Sequence, residues 1–523
     1  MVKPKFMDRA KQLFKDTEVK IANSAQRDLG AIIGNKEAVH EELQLKVQKW
    51  VDQVEVLAQI AATQPHAAHS AFTLGLRHRW TYLQRTMAPL HNFLQPLEDA
   101  IRNRFIPALL GETSNYVISD LQRNLYALPA RLGGLSIDNP VIQAKHKYQE
   151  SLELSQSLKD LIKSPATTAT TREDQHSDQN KDDEAALPDG NQPDKSDDAA
   201  ISKVQGLNPQ AKRILKIWEE QKELRATIKS KRKDRQKQEA DRIYGQLDET
   251  QKRSMKLAQK KGASAIYSRI PLEKYGFNFA RKRDFRGLLR MRYKLHIPNL
   301  PVTCACGKPY SLDHSQKCLK GGFIALRHDE PKILFGRLAS HVFKDVEIEP
   351  HLDSLSGEKF KLKSANRNQD ARSDVRIRGF WGNKKDAFFE FRVFYPFVSS
   401  LANKTVDASF SHMSKARKRE YEERINQVDN GSFTPMILAS TGGTGDEMDV
   451  ALKVLGAKLA EKNNEVYSHV MGDIRARFAF AIARSSLICL RGSRSIWSQR
   501  RSDLIKEHDN CSSRLLMSDI TRY

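Results

Sequence analysis

Apolar residues recur at spacings of three and four through Val47, Trp50, Val51, Val54 and Leu57, which predicts an amphipathic helix. Ala67–Leu83 and Leu94–Leu110 read the same way, punctuated by Pro65, Pro89, Pro107 and the Gly133-Gly134 pair. Residues 1–163 are therefore expected to be mainly helical. The periodicity stops at 164, and up to 208 the chain is polar, acidic and almost free of aromatic residues. Such a segment cannot bury enough apolar surface to offset its ordering entropy, so a disordered acidic linker is expected there. Residues 209–262 read as a long charged helix centred on Lys229–Arg235, and a basic helix, Phe285–Leu295, follows within 263–320. Beyond that the period alternates between helix and strand. A helix is expected to start near Glu330, with Pro331 in its first turn. Strands are expected at Val346–Ile348, Ala371–Arg378 and Asp386–Phe394, then a helix at Lys404–Val428, a strand at Phe433–Ala439 and two closing helices. The expected architecture is multidomain: a mainly α N-terminal part, a disordered linker, and an α/β domain of order α-β-β-β-α-β at 321–495, followed by a tail at 496–523.

The charge balance bears on the partner. Lysine and arginine number 87 against 64 acidic residues, a formal net charge of +23. That excess points to a polyanion, nucleic acid ahead of an anionic membrane surface. There is no apolar run of about 20 residues, no secretory signal and no lipidation motif, so a soluble intracellular protein without a membrane partner is expected. Lys231, Arg232 and Lys233, with Arg281, Lys282 and Arg283, are the candidate phosphate contacts, although a charge run is more often a solvated helix face. Nothing in the sequence indicates a protein partner.

Three of the five cysteines fall together in Cys304-Ala-Cys306-(seven residues)-His314-(three residues)-Cys318. Three thiolates and one imidazole would complete a tetrahedral zinc site and leave no position for substrate, so the zinc would be structural. His314 and Cys318, four apart, are expected on one helical face.

The strand candidates carry the second cluster. Alternation puts Asp374 on one face of the first strand and Glu390 with Arg392 on one face of the second. If the strands pair, Asp374 and Glu390 converge. A divalent cation held by two such carboxylates, Mg²⁺ or Mn²⁺, could activate water against a phosphodiester, with Arg392 supplying fixed positive charge. An ordinary Glu390–Arg392 ion pair would fit the same residues.

The order of elements, with acids on the second and third strands, resembles the restriction-endonuclease-like fold. The knuckle, Gly321-Gly322, Arg327-His328-Asp329-Glu330, Gly379-Phe380-Trp381-Gly382, Phe389–Phe394 and the Lys415–Tyr421 helix together resemble the carboxy-terminal region of non-LTR retrotransposons that encode a restriction-like endonuclease. Gln64–Ala68 and Leu128–Leu135 resemble the segment after the polymerase palm in those polyproteins. The paired-aspartate polymerase motif is absent, so no complete reverse transcriptase is expected. The resemblance implies an endonuclease that nicks target DNA, with Glu330, Asp374, Glu390, Arg392 and Lys415 in its centre. It also implies DNA and element RNA as partners, and location in the nucleus or in a cytoplasmic ribonucleoprotein. Two residues depart from the pattern. Ser373 stands where the family has proline. Arg392 stands where the fold usually has lysine, and arginine cannot act as a base at neutral pH. A catalytically inactive nucleic-acid-binding fragment is the alternative.

Overall fold

The computed structural model describes residues 4–18, 21, 26–28, 30–88, 90–113, 115–163, 209–272, 276, 277, 279, 281–382 and 385–491. The linker expected at 164–208 and the tail expected at 496–523 lie outside the described residues. Among the described residues no helix is long and apolar enough to cross a membrane.

The N-terminal part is helical, after a short hairpin of β1 (Gln26–Asp28) and β2 (Ala31–Ile33). Asn35 caps the helix Lys36–Thr63 by accepting a hydrogen bond from the Ala38 amide, and Leu43, Val47, Trp50 and Val54 form its buried stripe. The helix predicted over Ala67–Leu83 is two: Pro65–Leu74 ends at Gly75, and Thr81–Thr86 resumes after a 3₁₀ turn. Glycine breaks a run whose apolar spacing alone looks continuous. Trp80 packs against Trp50 and Phe72, with ring centroids 5.9 and 6.1 Å apart.

The charged segment is likewise two helices, Pro209–Gly245 and Glu249–Ala258, the second started by an Asp248/Gln251 capping box. Ala240, Ile243 and Tyr244 join the N-terminal helices in one core, as do Phe285, Leu288 and Leu289 of the basic helix Lys282–Tyr293. That basic helix is largely an internal strut. Arg292 donates to the carbonyls of Ala130 and Gly133, and the Tyr293 hydroxyl also donates to Gly133. The clasped turn needs its glycines: Gly133 has φ +89°, and a Cβ at Gly134 would meet the Leu128 carbonyl oxygen at 1.9 Å.

The C-terminal part holds a four-stranded sheet in the order β3 (Val346–Ile348), β4 (Val375–Arg378), β5 (Asp386–Phe394), β6 (Ser432–Ala439). The β3/β4 and β4/β5 pairs are antiparallel and β5/β6 is parallel. The parallel pair is linked by the helix Val406–Arg417, a π-turn at Lys418–Glu422 and a last turn at Glu423–Gln427. Helices cover both faces. Val375, Ile377, Phe389 and Phe391 pack on the lead helix Phe323–Ser340, the helix Asp446–Asn463 and the closing helix Tyr467–Arg491. Phe388, Ile425 and Tyr421 meet on the other face.

The lead helix begins at Phe323, not near Glu330, and Pro331 lies inside it. Proline there forfeits the bond to the Arg327 carbonyl. Burial of Phe323 and Arg327 in the turns before it holds the helix together past that defect. The closing helix belongs to two cores at once. Val470, Met471, Ile474, Phe478 and Ile482 pack with the sheet, while Ala476, Ala479, Phe480, Ala483, Leu487 and Leu490 pack with the N-terminal helices.

Candidate metal centre and acidic site

The cysteine cluster is built on a tight turn. The Cys304 amide donates to the Lys308 carbonyl and the Gly307 amide to the Cys304 carbonyl, both at 2.8 Å, with Gly307 at φ +83°. Ser311 caps the short helix Leu312–Ser315, which carries His314. Cys318 lies beyond the end of that helix, so the single helical face expected for the pair is not formed. One helical bond, from the Cys318 amide to the His314 carbonyl at 2.9 Å, still brings it round.

The four ligand atoms of Cys304, Cys306, His314 and Cys318 lie within 4.8 Å of one another. The Cys304 and Cys318 sulfurs are 3.8 Å apart, and the Cys306 sulfur is 3.3 Å from His314 Nε2. Bonds of ~2.3 Å from a tetrahedral zinc to two sulfurs would set those sulfurs ~3.8 Å apart, so the donor set fits such an ion in kind and in spacing. The Cys306 thiol is held below its ordinary pKa chiefly by a backbone hydrogen bond at Lys308. The cluster can hold a metal ion such as zinc.

The knuckle is docked. Arg327 of the lead helix donates to the side-chain oxygen of Gln316 at 2.8 Å and to its carbonyl at 3.1 Å. The Gln316 amide group donates to the Ser486 carbonyl of the closing helix at 3.0 Å. Tyr395, just past β5, donates to Asp313.

The acids lie at one end of the sheet. Val375 is the partner of Phe389, a register that sets Asp374, just before β4, across from Glu390. Asp374 turns to His328 and Lys332 of the lead helix, whereas Glu390 meets Arg417 of the crossover helix. Asp374 stands one residue before β4 and so is not part of the strand predicted through it. Both acids are buried. Asp374 Oδ2 accepts from the Phe391 amide at 2.6 Å, and Oδ1 is 3.0 Å from His328 Nε2 and 3.9 Å from Lys332 Nζ. Glu390 Oε1 is 3.7 Å from Arg417, which also pairs with Glu420 at 2.9 Å. Burial, reinforced by the charge of Asp374, pushes the Glu390 carboxyl up to about 9.

Lys332 is almost wholly buried among carboxylates, 2.9 Å from Asp329 and 2.6 Å from Glu349. Burial alone would lower its pKa, but Glu349 and Asp329 together raise it above the ordinary lysine value, so it is a fixed cation. Glu349 reaches Lys332 from a left-handed backbone at φ +57°, a conformation that costs a non-glycine residue roughly 1–2 kcal/mol.

The other predicted residues are placed differently. Glu330 is two positions from both His328 and Lys332 and so faces another way; its side chain is 3.8 Å from Arg484 of the closing helix. Arg392 is exposed on the Glu390 face, and Lys415 is exposed on its helix. The cation beside Glu390 is Arg417 of the same helix as Lys415. His328, Lys332 and Arg417 were missed. His328 and Lys332 share a helical face at a spacing of four, a signal available only once the helix is known to start at Phe323.

Of the basic runs, Lys233, Arg281, Lys282 and Arg283 are exposed. Arg232 is held by Glu150, and Lys231 stands 3.9 Å from Glu153. In comparisons with known proteins, no family model and no curated protein matches this chain.

Proposed function

We propose that this chain is a retroelement-derived, metal-dependent DNA endonuclease of the restriction-like type, with a structural zinc knuckle that helps grip nucleic acid. The observation that carries the reading is the buried acids Asp374 and Glu390, set across from each other by the β4/β5 register, with Lys332 near the first and Arg417 near the second. Two such carboxylates fit a hard divalent cation, Mg²⁺ or Mn²⁺, which when bound would supply charge stabilisation and a water of lowered pKa.

The chain's own residues have separate tasks. Asp374 is oriented by the Phe391 amide and His328, so its remaining lone pairs are aimed rather than free to rotate. Glu390, held protonated by burial, would have to lose that proton to serve as a ligand, which would tie occupancy to pH. Arg417 and Arg392 place positive charge along the Glu390 face, where a phosphodiester would lie. Lys332, fully charged, orients Asp374 but cannot take a proton from water. Lys415 on the exposed helix face is assigned to the flanking DNA backbone, and Glu330 to anchoring the lead helix through Arg484.

Plasmid nicking tests the reading. Purified protein with Mg²⁺ is expected to convert supercoiled DNA to nicked circles, and Asp374→Asn to lower that rate by at least about 100-fold while retaining DNA affinity. A nicking rate unchanged by Asp374→Asn would remove the mechanism. The second reading, a nucleic-acid binder without cleavage, is favoured by arginine at 392, where the fold usually has lysine. It predicts salt-sensitive binding and no nicking by the unaltered protein.

A further inference from the structure

A second basic site lies far along the chain from the acidic pair. A cleft of about 430 Å³ opens between the N-terminal helices and the long charged helix, large enough for a nucleotide unit. Arg77, Arg131, Lys147 and Arg232 line it, against the carboxylate of Asp138. Asp138 is committed to Arg77 at 3.2 Å, and Arg232 to Glu150 outside the cleft. The remaining two cations are held by neutral groups. Lys147 donates to Thr81 Oγ1 at 3.1 Å and Gln84 Oε1 at 2.9 Å, and Arg131 donates to Gln236 at 2.6 Å.

A half-buried ammonium on neutral acceptors is poorly compensated. Burial pulls the Lys147 pKa down; Asp138 and, more weakly, Glu150 oppose the pull, and Arg77 and Arg232 add to it. An anion entering the cleft would relieve this. The occupant is extended rather than a lone anion, because Arg232 belongs to the exposed basic run Lys229–Lys233 of the long helix, with Lys229 three residues before it on the same side.

We propose that this cleft binds the phosphate backbone of a nucleic-acid strand, with Lys147 and Arg131 as its principal contacts and the run Lys229–Lys233 as the continuation of the track. The proposal rests on the nucleic-acid reading above and adds to it a binding site separate from the acidic centre.

The test uses the full chain and a fluorescent single strand of ~20 nucleotides, with affinity measured across a salt series. Arg131→Gln changes an exposed residue and should leave the fold intact; Lys147→Gln keeps a hydrogen-bonding side chain, and thermal melts report its folding. The pair is expected to weaken binding at least about tenfold and to make the slope of log K against log salt shallower by about 1 to 2, one step per lost phosphate contact. Lys36→Gln, the same charge change on an exposed helix start outside the cleft, should have little effect. Cleft variants that bind like the unaltered protein, or that lose no more than Lys36→Gln does, overturn the proposal and leave the nucleic-acid reading standing. Displacement of the strand by millimolar inorganic phosphate would also overturn it, marking a small-anion site. Failure of the unaltered chain to bind at any salt would remove the nucleic-acid reading itself.

Discussion

Glu390→Gln should stabilise the metal-free protein at neutral pH. The folded Glu390 carboxyl titrates near 9, whereas the unfolded one titrates near 4.5. Between those values the folded state keeps a proton that the unfolded state has lost. Its contribution to stability is therefore full below 4.5 and drains away as pH rises toward 9. At about 1.4 kcal/mol per pH unit, the folded state at pH 7 gives up about 3 kcal/mol relative to a neutral isostere, if the whole shift is expressed. Glutamine has the same shape and no proton to lose, so the variant should be the more stable by up to that amount, with a gap that widens with pH. Urea denaturation in EDTA at pH 5, 7 and 8 measures it. Saturating Mg²⁺ or Mn²⁺ should then narrow the gap by binding the ionised carboxylate of the unaltered protein. Glu390→Gln no more stable than the parent at pH 7 and 8, or a gap independent of pH, would show that Glu390 is not a buried protonated acid and would refute the argument.

Other expectations concern the frame around the site. One zinc per chain is expected by atomic emission, and Cys318→Ser should lower it and loosen the knuckle, seen as faster proteolysis between 300 and 320; unchanged zinc would exclude Cys318 as a ligand. Arg123 and Glu98 form a bidentate buried pair at 2.6 and 2.7 Å, so Arg123→Ala, which strands the acid, should cost about 3–5 kcal/mol. Arg123→Met with Glu98→Leu should cost much less, and equal losses in the single and double variants would mean that packing, not charge, sets the penalty.

Strand positions were legible because alternation is a local property. Val346–Ile348 and Asp386–Phe394 fall where the pattern put them, and the shared face of Glu390 and Arg392 follows from a period of two. The placement of Asp374 across from Glu390 needed the pairing register, which the sequence left conditional. Lys332 and Arg417 could not be read in the same way. Their partners lie 42 and 27 positions away, and no periodicity encodes a contact across a sheet end. Pro331 misled for a physical reason: proline marks a first turn only when nothing holds the turns before it, and here buried Phe323 and Arg327 do. The histidines at 66 and 69, one of them in the string Gln64–Ala68, are core groups. Burial holds them down to about 3 and about 4, and His66 stacks on Phe285 with centroids 4.6 Å apart.

The double allegiance of the closing helix bears on how the molecule can be divided. Its Ala476–Leu490 stripe is small-to-large apolar surface that would face water if the N-terminal helices were removed. Excising the C-terminal unit would turn that stripe into a sticky ridge, and the N-terminal helices alone would lose one wall of their core. The two halves should melt as one cooperative block. A change that loosens the helix at Phe480 would be felt at Ile474 on the sheet side, so a lesion distant from Asp374 in the fold can still reach the acidic site through a single rigid rod.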